Sequence, residues 1–400
     1  VSTVESSDSI EALPDIDFNI RAGNTLVGYA KFDEVRKSIE GGVQRSFDFD
    51  GKMARFSEQV QLADQAFQKF RSIQISNSDD ARLVHDAKEQ LRTRLDALRT
   101  ELDRNLAGEF AVTKGPLTFS NWRSSHMPFH WFIEFYRIIG QGGFDVIVGN
   151  PPYVSKSKLD YKLPASTASA YPDIYADIVV RSLNLARKPH GRVGMIIPLS
   201  ITFSGDYGNL RKALQDTGIV WTSSYDILPS PLFNGAAQRC TIVLCESNDV
   251  RQMLGSRMYR WRSIYRPFLF GVISYLALSR DDYQDSGVPK HGFGTSSSIL
   301  GKIESKKRQL ESPVTFGKDK GAGEIRYAKA ALNFISAFLQ DPPCLKASSL
   351  EPVKSNRVGT LSAASPESAA AYLSMLVGEA YLWYWLVRGD GFDVTAWVVR

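Results

Sequence analysis

Phe144-Asp145-Val146-Ile147-Val148-Gly149-Asn150-Pro151-Pro152-Tyr153 decides how this chain is read. The first six residues are a short apolar run that predicts a buried strand over 144–149, and the next four break it with turn-forming residues. Two consecutive prolines fix φ and remove two N–H donors, so the loop after the strand is rigid and rich in acceptor carbonyls. Asn150 adds a side-chain oxygen, and Tyr153 adds a flat apolar face.

That combination suits an amine conjugated to a nucleobase, which is a poor nucleophile because its lone pair is delocalised into the ring. Acceptors at its two N–H groups draw the lone pair out and stabilise the positive charge that develops as a new bond forms. Asn150 and the carbonyl of Pro151 are the candidate acceptors, Pro152 stiffens the turn, and no general base is needed in the slow step. Tyr153 offers stacking worth about 1–3 kcal/mol to a base extruded from a duplex, as access to the amine requires. The plainer reading is a tight loop, since Asn and Pro are common in turns; the strand before it argues against that. The same chemistry serves an RNA adenine or a protein glutamine, so those acceptors stay open.

Working outward, 144–246 reads strand, loop, helix, strand, the pattern of a mainly parallel sheet in an α/β fold. Asp173 to Lys188 predicts a helix closed by His190-Gly191, and Val193 to Ile197 a strand stopped by Pro198. Ser224 to Leu228 and Cys240 to Cys245 predict two more strands, a late pair that can run antiparallel to its neighbours. Upstream, Ile16 to Ala22 followed by Gly23-Asn24 predicts a strand with a ligand-holding loop at its end.

Between them, Val84, Ala87, Leu91, Leu95, Leu98 and Leu102 recur at steps of three and four. The simplest arrangement is a helical hairpin, Ser57 to Ile73 on Asp80 to Leu106, with Asn77 and Ser78 as capping candidates. It is expected to pack on itself as an insertion, with contact to DNA or a partner subunit as the alternative. Beyond 250 the chain turns basic and aromatic. Arg257, Arg260, Arg262 and Arg266 are candidates for phosphate contact, or else a solvated basic face. A helix is predicted from a cap at Ser365, with Pro366 in its first position, to Val387.

The 400 residues are 43% hydrophobic and 23% charged with net charge +5, a balance that permits an anionic partner without requiring one. Three scattered cysteines and five dispersed histidines form neither a disulfide framework nor metal-ligand spacing, which points to a reducing cytoplasm and no metal. No apolar run approaches the roughly 20 residues of a membrane span, and the start at Val1 lacks the features of a signal peptide. The initial Val in place of Met makes a truncated reading frame the expectation.

From Asn150 to Tyr153 the chain resembles the gamma-class N6-adenine DNA methyltransferases, in particular the large single-chain enzymes of type IIG restriction-modification and phage-defence systems. The lead-in Phe129-His130-Trp131-Phe132-Ile133-Glu134-Phe135 and the stretch Gly191 to Pro198 are similar to the segments flanking that motif in the family. Pro231-Leu232-Phe233-Asn234-Gly235-Ala236 resembles the segment whose aromatic packs the flipped adenine, which implies Phe233 as a second stacking residue; a hydrophobic plug at a strand end is the alternative. Arg21-Ala22-Gly23-Asn24-Thr25-Leu26 is similar to the part that contacts the adenine of S-adenosylmethionine, implicating Asn24 and Thr25, where relatives usually carry aspartate at the Asn24 position. Gly389 to Thr395 loosely resembles the target-recognition region.

The resemblance implies an incomplete Rossmann-like S-adenosylmethionine-dependent sheet with a helical insertion and a C-terminal α+β target-recognition domain. The expected domains are 1–30, the end of the cofactor-binding half; 31–115, the insertion; 116–250, the catalytic half; and 251–400, the DNA-reading region. It further implies double-stranded DNA as partner, a prokaryotic cytoplasm, and a missing N-terminal half or other restriction-modification subunits. The family's glycine-rich cofactor loop finds no counterpart: the fifteen residues before Ile16 contain no Gly, and Gly140-Gln141-Gly142-Gly143 and Gly321-Ala322-Gly323 read as loops. A fragment or one half of a split enzyme is therefore expected, inactive by itself. A non-catalytic DNA-binding remnant is the rival, and no nuclease constellation stands out.

Overall fold

The computed structural model describes residues 20–41, 49–75, 81–114, 118–161, 163–164, 171–233, 235, 238–279, 287–305, 314–316, 322–331, 333–342, 344–346, 348–353 and 355–394. The expected strand from Ile16, apart from residues 20–22, and the caps at Asn77 and Ser78 lie outside them. The chain divides into two compact units, 1–145 with 154–188, and 146–153 with 189–400.

The first unit is helical: α1 (Phe32–Gly41), α2 (Phe49–Ile75), α3 (Ala81–Lys114), α4 (Phe119–His126), α5 (Trp131–Glu134), α6 (Tyr136–Gly140) and α7 (Ile174–Leu185). The predicted stripe on α3 is buried from Ala87 through Leu91, Leu95, Leu98 and Leu102, against Ala63 and Phe70 of α2. The hairpin exists, longer than predicted at both ends. It is not a self-contained insertion, because the same core takes in Val27, Tyr29, Trp122, Phe132 and Ile133. The expected boundary at 115–116 therefore cuts across one core.

A buried polar join stitches α3 to this unit. The Tyr29 amide donates to Nδ1 of His130 at 3.2 Å, so the ring carries its proton on Nε2 and donates to Asp103 at 3.0 Å. The other Asp103 oxygen forms an ion pair with Arg123 at 2.9 Å. Gly28, with φ +143°, passes so close to Phe129 that an added Cβ would lie 2.2 Å from its carbonyl oxygen. Helix α7 is tied to α1 by Arg181 and Glu34 at 2.7 Å.

The second unit holds β1 (Val146–Gly149), β2 (Arg192–Pro198), α8 (Ser200–Phe203), α9 (Gly208–Thr217), β3 (Gly218–Tyr225), β4 (Cys240–Ser247), β5 (Gln252–Tyr259) and β6 (Leu276–Leu278). The strands form one sheet in the order β1-β2-β4-β3-β5-β6. Strands β1, β2, β3 and β5 share a direction while β4 and β6 oppose it, so the expected late antiparallel strand is β4.

Several expectations need correction. The strand expected over 144–149 begins only at Val146, and it is not buried: it sits at a sheet edge, with Val146 58% and Val148 77% exposed. Its apolar run needs cover that none of the described residues provides. The strand expected at Ser224 to Leu228 is β3, which runs 218–225 and ends where the Asp226 side chain accepts from the Ile227 amide at 2.7 Å. The run Thr222, Ser223 and Ser224 disguises it, since these polar residues are buried on the strand. Pro198 does not stop β2 but is its last member, opposite Cys240. The sheet also continues through β5 and β6, so the boundary expected at 250–251 falls inside it.

Beyond the sheet come α10 (Gly294–Glu304) and a four-stranded antiparallel sheet, β7 (Val314–Phe316), β8 (Gly323–Ala328), β9 (Ala337–Phe338) and β10 (Val358–Ala363), ordered β7-β10-β8-β9. Helices α11 (Pro366–Leu376) and α12 (Glu379–Arg388) share a core with it through Leu376, Tyr381 and Trp385. The Ser365 hydroxyl caps α11 by accepting from the Ser368 amide at 3.2 Å, with Pro366 in the first turn. The single helix expected to Val387 is instead two, parted at Val377-Gly378.

Candidate functional site

Because β1, β2, β3 and β5 run the same way, their carboxyl ends and the start of β4 meet at one edge of the sheet, where α/β folds hold ligands. Asn150 leaves β1 there and is exposed, Pro151 is buried, and Pro152 is exposed. The Tyr153 hydroxyl lies 2.9 Å from the side-chain oxygen of Asn150 and 3.0 Å from the Ile196 carbonyl of β2. One O–H serves two acceptors, so the hydroxyl both holds the Asn150 amide and anchors the loop to the neighbouring strand. The sulfur of Cys240 lies 3.9 Å away.

Burial, and secondarily Cys240, pushes the Tyr153 phenol well above the ordinary tyrosine range; burial also raises the Cys240 thiol. Both stay neutral at physiological pH, so the Tyr153 hydroxyl is a hydrogen-bond donor rather than a base. Its ring packs against a buried cluster of Tyr225, Leu232, Cys240, Tyr259, Trp261 and Leu269, and half-buried Phe233 packs on the same cluster. The two residues expected to stack a base are thus brought to one site. Asn234 and Ala236 lie outside the described residues.

Asp226, absent from the expectations, organises this edge. Its side chain is fully enclosed, with one oxygen 2.8 Å from Arg239 and the other 2.6 Å from Arg260. Arg239 in turn donates to the Gly391 carbonyl at 3.3 Å and lies 5.4 Å over the ring of Phe392. The signal in the sequence is a lone acid in the run Tyr225-Asp226-Ile227-Leu228. Arg260 is expected on DNA phosphate; its guanidinium is instead committed to Asp226. Arg257 lies 5.0 Å over Tyr259, while Arg262 and Arg266 are exposed with no ion pair among the described residues.

Asn24 and Thr25 are partly buried, and each is tied to its neighbours. Asn24 donates to Tyr161 at 2.6 Å and accepts from the Leu26 amide at 3.1 Å; Thr25 accepts from the Trp131 indole at 3.1 Å. These bonds close a turn. Among the described residues, no group of three or more His, Cys, Asp or Glu could hold a metal ion. No described helix is long and apolar enough to cross a membrane.

Residues 52–225 match the family model for the Eco57I restriction-modification methylase, spanning the hairpin, the Asn150–Tyr153 loop and the sheet to the end of β3. This segment is similar to the methylase domains of Eco57I-type restriction-modification enzymes. A protein of Methanocaldococcus jannaschii named as a type II restriction enzyme and methyltransferase is 29% identical over 266 residues, which is 58% of this chain and 22% of that protein. The modification methylase CviBIII of Paramecium bursaria Chlorella virus NC1A is 33% identical over 26% of this chain and 27% of its own length. The chain thus spans about a quarter of each curated relative it matches. Among solved structures, the Type IIL restriction-modification enzyme MmeI in complex with DNA is 14% identical over 63% of this chain and 45% of that chain, with a TM-score of 0.34. Phe233, Arg239 and Cys240 lie beyond the stretch matched to the methylase domain.

Proposed function

We propose that the chain is the catalytic and DNA-reading part of a site-specific DNA methyltransferase acting on the N6 amine of a flipped-out adenine. The observation that carries this reading is the Asn150–Tyr153 loop, held at the carboxyl edge of the sheet by the Tyr153 hydroxyl. S-adenosylmethionine, the donor that the family resemblance implies, supplies an electrophilic methyl group when bound. Everything else follows from the chain's own residues acting on the acceptor nitrogen. The Asn150 oxygen and the Pro151 carbonyl accept its two N–H bonds, Pro152 keeps the turn rigid, and the rings of Tyr153 and Phe233 sandwich the extruded base.

The uncovered β1 edge supports a partner for this domain: a cofactor-binding half in the same polypeptide or in another restriction-modification subunit, laid beside β1.

Replacing Asn150 with Ala in the full-length protein tests the proposal. Transfer of labelled methyl to DNA is expected to fall by about 10²–10³-fold or more while DNA affinity holds. Unchanged transfer removes Asn150 from the reaction, and label appearing on RNA or protein in place of DNA favours the other acceptors.

A further inference from the structure

From Val250 to Arg280 the chain carries Arg251, Arg257, Arg260, Arg262, Arg266 and Arg280 and not one Asp or Glu. Within this stretch two 3-10 turns, Ser263–Phe268 and Phe270–Val272, follow directly on β5. They leave a dense group of large apolar side chains in the open: Ile264 is 75% exposed, Tyr265 59%, Phe268 68%, Phe270 54% and Val272 60%. Single exposed apolar residues are ordinary, whereas so many within nine positions mark a surface that meets something.

The root of this ledge fixes its place. Leu269, only 4% exposed, plugs into the cluster on which Tyr153 and Phe233 pack, and Phe270 meets Tyr225 edge-on at 6.2 Å. The ledge is therefore an outgrowth of the floor of the candidate active site. Arg260 is paired with Asp226, but Arg262 and Arg266, interleaved with the rings, show no ion pair among the described residues and fit a polyanion that also offers flat apolar faces. A duplex opened by base extrusion is such a partner: its phosphates meet the guanidinium groups, and the gap and the orphaned base present unstacked faces to the rings.

We propose that residues 262–272 form a DNA-opening ledge. Tyr265, Phe268 and Phe270 contact the bases exposed around an extruded nucleotide, and Arg262 and Arg266 contact the flanking backbone. This rests on the proposed function only in placing the extruded base at Tyr153.

The test compares full-length protein binding to a fluorescein-labelled mixed-sequence duplex, either intact or carrying one abasic site, the latter a gap already opened. The wild type is expected to prefer the abasic duplex by about ten-fold. Tyr265→Ala/Phe268→Ala/Phe270→Ala should erase that preference, and Phe268→Ala alone, at the most exposed ring, should reduce it with the fold least disturbed. Arg262→Ala/Arg266→Ala should weaken both duplexes alike and lower the salt dependence by about two ion equivalents. Equal binding of both duplexes by wild type and ring variants, circular dichroism being unchanged, overturns the proposal. So does loss of self-association, or loss of binding to phosphatidylserine vesicles, as the sole effect of the ring variants. Asn150→Ala separates the two ideas: if it binds the abasic duplex preferentially yet no variant or wild type methylates DNA, the ledge stands while the enzyme reading fails. If the triple ring variant methylates DNA as well as the wild type does, the enzyme reading stands while the ledge fails.

Discussion

The enclosed carboxylate of Asp226 lies 2.8 Å from Arg239, and through that arginine the end of β3 is joined to the segment at Gly391 and Phe392. A buried acid shared by two arginines is costly to desolvate and more costly to orphan. Asp226→Ala leaves the mostly buried Arg239 without its counter-charge. It is expected to destabilise this unit by about 3–5 kcal/mol in chemical denaturation. Arg260→Ala, at a side chain one-third exposed, is expected to cost no more than about 1 kcal/mol. Equal losses from the two substitutions would mean that Asp226 does not depend on Arg239.

Tyr153→Phe separates the ring from the hydroxyl. The ring's packing on the cluster survives, but the Asn150 amide loses the hydroxyl that holds its oxygen toward Tyr153. An amide able to turn over presents a donor to a donor for part of the time. The kcat for methyl transfer is expected to drop by about ten-fold with KM for DNA within about two-fold, a loss of roughly 1.4 kcal/mol confined to the transition state. Tyr153→Ala should raise KM as well, because stacking goes with the ring. A Phe variant with unaltered kcat removes the hydroxyl from any positioning role.

In the helical unit, His130 and Asp103 are both fully buried and hydrogen-bonded to each other, with the Tyr29 amide on the other ring nitrogen and Arg123 paired with the acid. Such a join looks catalytic by residue type alone, yet its atoms are spent on Tyr29, Arg123 and each other. His130→Ala is expected to lower stability by about 2–4 kcal/mol, through a cavity and an unsatisfied Asp103. Its remaining folded fraction should methylate at an undiminished rate per molecule. A fall in kcat beyond the folded fraction would give the pair a role in the reaction.

What can be read from the sequence is whatever depends on local pattern. The stripe on α3 is fixed by the helical period, the cap at Ser365 by one hydroxyl and one proline, and the loop at Asn150 by residues that allow few backbone shapes. The differences arise where neighbours distant in sequence decide the outcome. Val146 and Val148 look like core residues by type, yet among the described residues their strand stands at an open sheet edge. The true extent of β3 is hidden because its buried Thr222, Ser223 and Ser224 look like surface residues until the paired strands are known. Arg260 looks like a phosphate ligand because nothing within a few residues announces Asp226, which lies 34 positions earlier. The same limit hides the anchoring of Tyr153 by Ile196, a main-chain contact that leaves no residue-type signature.

Lys290 gives the chain a pH dependence that can be worked out in sign. The side chain is buried, donating to the Val387 carbonyl at 2.9 Å, and its pKa is pushed down to about 7, first by burial and then by the neighbouring Arg388, with Asp390 opposing. In the unfolded chain a lysine titrates near 10.4, so between about pH 7 and 10 the unfolded state binds the extra proton. Stability therefore rises as pH is raised through that window and is lost as pH falls toward 7. Lys290→Met, of similar length and without charge, should remove the slope while sacrificing one hydrogen bond. Denaturation midpoints read from about pH 6.5 to 9.5, below the range where tyrosines in the unfolded chain ionise, are expected to climb for the wild type and stay level for the variant. Parallel curves would mean that Lys290 keeps its proton inside the fold, with Arg388 and its partner Glu304 absorbing the charge.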